Sequence, residues 1–266
     1  MDVKEFFARN PLFNREEWLT FRYSCGKTQK SASQLLRYYY TRKRLVQVHN
    51  GLFAVVIPGT DAEIVDTDPF DICMKVASDA VVAYHAALEF HGYAHSHFQD
   101  YPLLVERQFG HFDFHGMTFH STRHPKTLCR KQEWQTEILN QEREMQTIRV
   151  TSMERTLVDC LDRVSLAGGW EELWRSMTAL RHDDLDRVIA YAGKLDNAIA
   201  AARVGFFLEQ NKKALHVPES ILRKLELLRP RQNLYLDTTR TPGKVVKRWK
   251  LVVPPEILNQ AWGTVE

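Results

Sequence analysis

The sequence predicts an α+β protein, with a winged helix-turn-helix over residues 1–60 followed by a larger, mixed but mainly helical domain over residues 61–266. Three observations carry that expectation. Ser31–Tyr40 has the periodicity of an amphipathic helix, Arg42, Lys43 and Arg44 follow as consecutive cations, and Asn50-Gly51 lies between two apolar runs. The positive charge is also local. Residues 1–56 hold ten Lys and Arg against four Asp and Glu, a sum of +6, whereas the whole chain is +3 and the remainder is therefore −3. A basic module on an otherwise nearly balanced chain fits a polyanionic partner, because neutralised phosphates release counterions.

The elements of the first module follow in order. Val3–Ala8 places Val3, Phe6 and Phe7 on one side of a short helix. Asn14, with Glu17 three residues on, reads as an N-cap opening a helix through Trp18, Leu19 and Phe21, and Cys25-Gly26-Lys27 reads as a turn. In the next helix Ala32, Leu35, Leu36 and Tyr39 share the apolar face, leaving Ser33, Gln34, Arg37, Tyr38 and Thr41 on the other. Hydroxyls, an amide and a guanidinium are the groups that reach base edges and phosphates in a major groove. The spacing assigns Ser33, Gln34 and Arg37 to base edges, and Lys27, Lys30, Tyr38, Arg42, Lys43 and Arg44 to phosphates. Leu45–Val48 and Leu52–Val56 then form a hairpin, with His49 and Asn50 at its tip and a type I′ turn at Asn50-Gly51. The competing reading is a small helical bundle whose cations form a solvated face.

Ile57-Pro58-Gly59-Thr60-Asp61 breaks the strand pattern and Asp66–Asp71 reads as an acidic linker, placing a boundary near residue 60. Beyond it the periodicity predicts a helix over Ser78–Phe90 stopped by Gly92, and a strand pair within Leu103–His120; residues 121–147 fit helix or hairpin equally. Ile148–Val150 is strand-like, and Thr151-Ser152-Met153-Glu154 reads as a capping box for a helix over Arg155–Arg163, ended by Gly168-Gly169. Further helices are expected over Trp170–Leu180, Leu185–Ala192, Asn197–Glu209 and Pro218–Leu228. Val245–Val253 reads as one strand, with Trp249 inward and its neighbours Arg248 and Lys250 outward. Nine Lys and Arg between Arg223 and Lys250 face only Glu226 and Asp237, so Arg231, Lys244, Lys247, Arg248 and Lys250 suggest a second basic surface.

Composition is that of a soluble globular chain, and 266 residues suffice for roughly two domains. No apolar run approaches the ~20 residues of a membrane span, and Met1–Glu5 lacks a signal-peptide stretch, so the expectation is a cytoplasmic protein without a membrane partner. Cys25, Cys73, Cys129 and Cys160 lack paired spacing and read as reduced thiols. Eight of the eleven histidines fall between His85 and His124, including His91/His95/His97 and His111/His115. Gly92 and Gly116 interrupt both groups and no ligand quartet completes them, so neither a metal nor another cofactor is expected. Glu154, Arg155, Asp159 and Asp162 invite a catalytic reading. Glu154 and Asp159 are five apart and on different faces, however, so an Arg155–Asp159 ion pair is the simpler account. No phosphate-binding loop, nucleophile elbow or His-Glu-x-x-His sequence is present, and nothing positive argues for an enzyme. Trp170 and Trp174, at i and i+4, read as core rather than base-stacking platforms.

The chain resembles the AbiEi-type antitoxins, transcriptional regulators of type IV toxin-antitoxin operons. The resemblance is carried by Leu35-Leu36-Arg37-Tyr38-Tyr39-Tyr40, Asn50-Gly51-Leu52-Phe53-Ala54-Val55, Ala86-Ala87-Leu88-Glu89-Phe90-His91-Gly92, Val150–Asp159 and Arg248–Pro254, in order and nearly end to end. It implies an autorepressor whose winged module binds inverted repeats in its own promoter. It also implies a C-terminal antitoxin domain that counters a neighbouring nucleotidyltransferase toxin, commonly without a stable complex, in defence against phage. Met153 departs from the Pro expected at that first helical turn. Two other readings remain open at this stage: a metal-dependent nuclease guided by the winged module, with carboxylates between Asp100 and Glu144, and a stoichiometric toxin-binding protein.

Overall fold

A computed structural model describes residues 1–57, 65, 67–144, 146–178 and 184–262. The expected break at Pro58–Asp61, Asp66 of the expected linker and Leu180 of an expected helix lie outside the described residues. The α+β class holds. The chain divides into two compact units that interleave in sequence rather than meeting at one cut. One comprises Met1–Val82, Gln99–Thr122 and Asn140–Arg149, and the other Ala83–Phe98, Arg123–Leu139 and Val150–Glu266.

The first unit begins with α1 (Val3–Arg9), β1 (Leu12–Asn14), α2 (Arg15–Ser24), α3 (Gln29–Thr41), β2 (Leu45–His49) and β3 (Leu52–Val55). Asn14 and Glu17 form the expected reciprocal cap of α2, Glu17 N–H donating to Asn14 Oδ1 at 2.9 Å and Asn14 N–H to Glu17 Oε2 at 2.8 Å. Phe6, Phe13, Trp18, Phe21, Ala32, Leu36 and Leu45 make one core against which Leu35, Tyr39 and Phe53 pack. Within it the Trp18 indole N–H donates to the Ala32 carbonyl at 2.9 Å, which fixes the rotation of α3 about its axis. The three strands form an antiparallel sheet of order β1-β3-β2. The hairpin at Asn50-Gly51 exists, but its turn is not type I′. Only Gly51 takes a positive φ (+77°), and the register slips between Gln47 and His49. A bulge absorbs the turn there. The type I′ pattern occurs instead at His115-Gly116, where both residues have positive φ, +49° and +81°.

The expected linker after Asp66 is in fact a helix, α4 (Pro69–Val76), capped by Asp68 with Pro69 at its first position. The expected helix over Ser78–Phe90 is strand β4 (Val81–Val82) followed by α5 (Tyr84–Phe90), with Gly92 closing it as expected (φ +76°). A continuous apolar run fits buried strand and buried helix alike, and the β-branched pair went to the sheet. The strand pair within Leu103–His120 resolves into β5 (Asp100–Val105), β6 (His111–Phe114) and β7 (Met117–Arg123). Residues 121–147 hold α6 (Lys126–Arg130) and β8 (Ile138–Arg143), leading to β9 (Gln146–Thr151). These strands form a six-stranded sheet of order β6-β7-β5-β4-β9-β8.

In the second unit α7 (Met153–Asp162) is the central element, buried from Glu154 through Leu161 and in contact with α5 and with three helices further along the chain. Its cap is Ser152, which accepts from Arg155 N–H at 3.3 Å; Glu154 therefore does not close the expected box but lies 3.6 Å from Arg187. Arg155 and Asp159 pair at 3.0 Å, both buried. Arg155 Nη1 also donates to the carbonyls of Trp134 and Thr136 at 2.8 Å, and Tyr191 O–H to Asp159 at 2.7 Å. A 3₁₀ turn (Val164–Ala167) precedes α8 (Gly169–Thr178), α9 (Leu185–Leu195), α10 (Ala198–Gln210) and α11 (Glu219–Glu226), close to the expected helices. Arg203, on α10, donates to the terminal carbonyls of α7 at Leu161 and Asp162, 2.9 and 2.8 Å away, and its guanidinium lies over Trp170. The single strand expected over Val245–Val253 is two. Strand β10 (Leu234–Tyr235) pairs with β12 (Leu251–Val253), which also pairs antiparallel with β11 (Lys244–Val246), and α12 (Pro255–Leu258) follows. Trp249 is inward and fully buried, but from a turn rather than from strand alternation.

Gly205 lies against that indole, and a Cβ there would overlap the Trp249 ring. On an open helix Gly→Ala gains roughly 1 kcal/mol. At Gly205 the clash reverses the sign, and Gly205→Ala is expected to destabilise by about 1–3 kcal/mol in urea unfolding.

Candidate nucleic-acid interface

With Ala32 and Leu36 buried, α3 turns its polar face outward. Gln34, Arg37, Tyr38 and Thr41 are exposed and Ser33 is half-buried; Lys27, Lys30, Arg42, Lys43 and Arg44 are exposed beside them. None of these cations makes an ion pair with a described residue. Three of the four carboxylates of the same module are occupied elsewhere, and the fourth, Glu16, is exposed on α2. Asp2 accepts from Glu5 N–H at 2.8 Å, which lowers its pKa, Glu5 pairs with Arg9 at 2.7 Å, and Glu17 holds the α2 cap and an ion pair with Lys75. Arg22 is buried over Trp18 and Phe21, whereas Arg42 lies 5.5 Å over the Tyr38 ring. The result is a concentration of unneutralised positive charge around one helix.

The ends of α2 and α3 share one hydrogen-bond pattern and differ in one residue. After α2, Gly26 (φ +67°) and Lys27 donate to the carbonyls of Tyr23 and Arg22 at 2.9 and 3.1 Å. After α3, Lys43 (φ +53°) and Arg44 donate to those of Tyr40 and Tyr39 at 3.0 and 2.9 Å. Glycine suits this left-handed position, and any other residue there costs about 1 kcal/mol. Lys43 carries that strain while presenting an exposed side chain.

The hairpin tip departs from expectation. Asn50 is exposed, but His49 is half-buried, its ring stacked on Phe112 with centroids 4.2 Å apart and near Phe109 at 5.9 Å. Burial pushes its pKa down, which disfavours the imidazolium. Phe109 and Phe112 were not expected here; they lie some sixty residues along the chain and no local pattern couples them to the hairpin.

The second basic surface is reduced. Arg248 pairs with Glu209, Glu219 and Glu226 at 2.7, 2.6 and 3.1 Å, and together with Lys212 it holds the Glu219 carboxyl at a pKa of about 2. Arg231, Lys244 and Lys247 remain exposed and Lys250 is half-buried, without ion pairs to described residues.

The histidines occupy separate environments. His91 Nε2 is 2.9 Å from the Thr151 carbonyl oxygen and His120 pairs with Asp100 at 3.0 Å. Among the described residues no group of three or more His, Cys, Asp or Glu is placed to hold a metal. His85 is buried between two carboxylates, with Nδ1 3.2 Å from Glu89 and Nε2 3.1 Å from Glu172, beneath the ring of Phe98. The backbone N–H groups of His95 and Ser96 donate to the same Glu172 oxygen, so the cluster pins residues 95–98 to α5 and α8. His85 and Glu89 stand at i and i+4, a signal visible in sequence but masked by the more conspicuous His–His spacings.

No family model matches the sequence, and no curated protein is similar to it. Among solved structures, the RV2827C protein from Mycobacterium tuberculosis superposes with a TM-score of 0.60 at 17% identity, over 97% of this chain and 92% of that one. A likeness at that identity concerns the fold.

The His85 cluster yields a pH prediction. Burial opposes the imidazolium, but the hydrogen bonds and charges of Glu89 and Glu172 outweigh it and raise the His85 pKa above 6.5; both glutamates lie below 4.5. The histidine's contribution is complete below pH 6.5 and is lost as pH rises through its raised value. That of the glutamates is present above 4.5 and is lost as pH falls through their lowered values. Subtracting the thermal-midpoint curve of His85→Gln from that of the intact protein is expected to leave a stabilisation greatest between those limits and vanishing toward alkaline pH.

Proposed function

We propose that residues 1–57 are a winged helix-turn-helix and that the protein is a DNA-binding transcriptional repressor. The observation that carries this reading is the polar face of α3, exposed, ringed by cations without carboxylate partners, and held by an aromatic core that leaves it no other orientation. The helix–strand–helix–helix–hairpin order with a β1-β3-β2 sheet supports it. Such a module presents one helix to a major groove and a hairpin to the neighbouring backbone. Ser33, Gln34 and Arg37 read base edges, and Lys27, Lys30, Tyr38, Arg42, Lys43 and Arg44 engage phosphates. Asn50 remains available at the hairpin tip, and the exposed lysines of the C-terminal region are a secondary surface.

The antitoxin role rests on the family resemblance: autorepression at inverted repeats in the promoter and relief of a nucleotidyltransferase toxin without a stable complex. The nuclease reading draws less support. Asp100, Asp113, Glu133 and Glu142 engage His120, Thr118, Lys194 and Thr147 respectively, and among the described residues no three or more His, Cys, Asp or Glu are grouped to hold a metal.

Two substitutions separate the roles in titrations with specific and random duplexes. Arg37→Ala is expected to weaken specific binding by about 1–3 kcal/mol and to relax preference at one base position. Equal losses on both duplexes would contradict its assignment. Lys43→Gly is expected to keep or raise the thermal midpoint, by relief of the left-handed strain, while reducing the salt slope of binding by about one unit. An unchanged slope would make Lys43 a bystander.

A further inference from the structure

The geometry points to a cleft between α3, the start of α2 and the β2–β3 hairpin as the seat of one backbone phosphodiester of the bound duplex, with Arg15 as its unassigned clamp opposite Arg37. This rests on the DNA-binding reading above. The cleft has cations on two elements and an apolar floor. Arg37 and Tyr40 stand one turn apart on α3. Gln47 and Phe53 are directly opposite across the hairpin and therefore share a face of it, and Leu36 and Phe53 supply the apolar lining. Arg15, the first residue of α2, is tied to the hairpin by its backbone N–H, which donates to the Gly51 carbonyl at 2.7 Å. Both guanidiniums are exposed and neither makes an ion pair with a described residue.

Duplex geometry supplies the occupant. A helix in the major groove and a hairpin beside it lie on either side of the sugar-phosphate strand that bounds the groove, so that strand must cross between them. A phosphodiester brings the two things the cleft lacks and accommodates: a negative charge for the Arg15 guanidinium, which pairs with no described residue, and a deoxyribose with apolar faces for Leu36 and Phe53. The Tyr40 hydroxyl and the Gln47 amide are donors for its oxygens. Arginine suits the α2 wall because its planar fork binds phosphate oxygens in pairs, which leaves Arg37 on the α3 wall for base edges.

The test uses the full-length protein and a duplex enriched by the unaltered protein from a random pool. Arg15→Ala is expected to weaken binding several-fold and to lower the slope of log affinity against log salt by about one, with Arg15→Lys restoring the slope. Lys4→Ala removes an equal charge from α1, outside the cleft, and leaves the slope unchanged. A scan of single methylphosphonates along each strand should reveal a phosphate whose neutralisation weakens the unaltered protein but not Arg15→Ala. An unaltered slope for Arg15→Ala, an equal fall for Lys4→Ala, or an Arg15→Ala protein still sensitive at every phosphate would overturn the cleft while sparing the winged reading. Failure of the unaltered protein to enrich or bind any duplex would overturn both.

Discussion

The first unit depends on the contact between the Trp18 indole and the Ala32 carbonyl. A helix packed only by aliphatic side chains has freedom to rotate about its axis, because non-directional burial accepts several registers. A hydrogen bond from a buried ring to a carbonyl inside α3 does not. Phe6, Phe13 and Phe21 surround that ring, Phe6 stacking on Phe21 at 4.5 Å and meeting Phe13 edge-on at 5.3 Å. With rotation settled, Ala32 and Leu36 point inward and the face bearing Gln34 and Arg37 has nowhere to go but solvent. The proposed DNA-reading surface is thus a consequence of the core.

Much of this was legible locally. The apolar spacing of Ala32, Leu35, Leu36 and Tyr39, the Asn14–Glu17 reciprocal cap, the glycine stop at Gly92 and the Arg155–Asp159 pair are all interactions within four or five residues, where sequence distance and spatial distance nearly coincide. What failed was decided at longer range or by competition between similar signals. Asp68-Pro69 starts a helix but reads equally as a break. Val81–Val82 went to a sheet because β5 was available as a partner. The run from Val245 to Val253 folds back on itself, and the turn is made by Lys250 at φ +54° rather than by a glycine that would have announced it. Of the candidate interface, the residues of α3 were readable, whereas the packing of His49 on Phe112 was not.

Charge shows the same limit from another side. Several basic residues of the second unit are consumed internally. Arg155 serves carbonyls and Asp159, Arg203 closes the end of α7, and Arg248 binds three glutamates. A count of Lys and Arg over residues 223–250 therefore overstates the field that stretch presents. Around α3 the count and the field agree, since Asp2, Glu5 and Glu17 are engaged in caps and pairs on other elements. Net charge per segment identifies a polyanion site only once the partner of each cation is known, and by that standard the N-terminal module is the stronger of the two basic regions.

The packing of the hairpin carries a final consequence. A two-stranded ribbon is marginally stable alone and would lose conformational entropy on docking. Here β1 adds a third strand, Arg15 N–H ties the turn to α2, and His49 rests on Phe112 of the six-stranded sheet within the same compact unit. The tip is thereby held in place before any partner arrives. In the proposed complex, phosphate affinity near the tip falls to Arg15 and the cations following α3, whose positions are set by helix ends rather than by the hairpin's own flexibility. In this arrangement the hairpin contributes shape and the helices contribute charge.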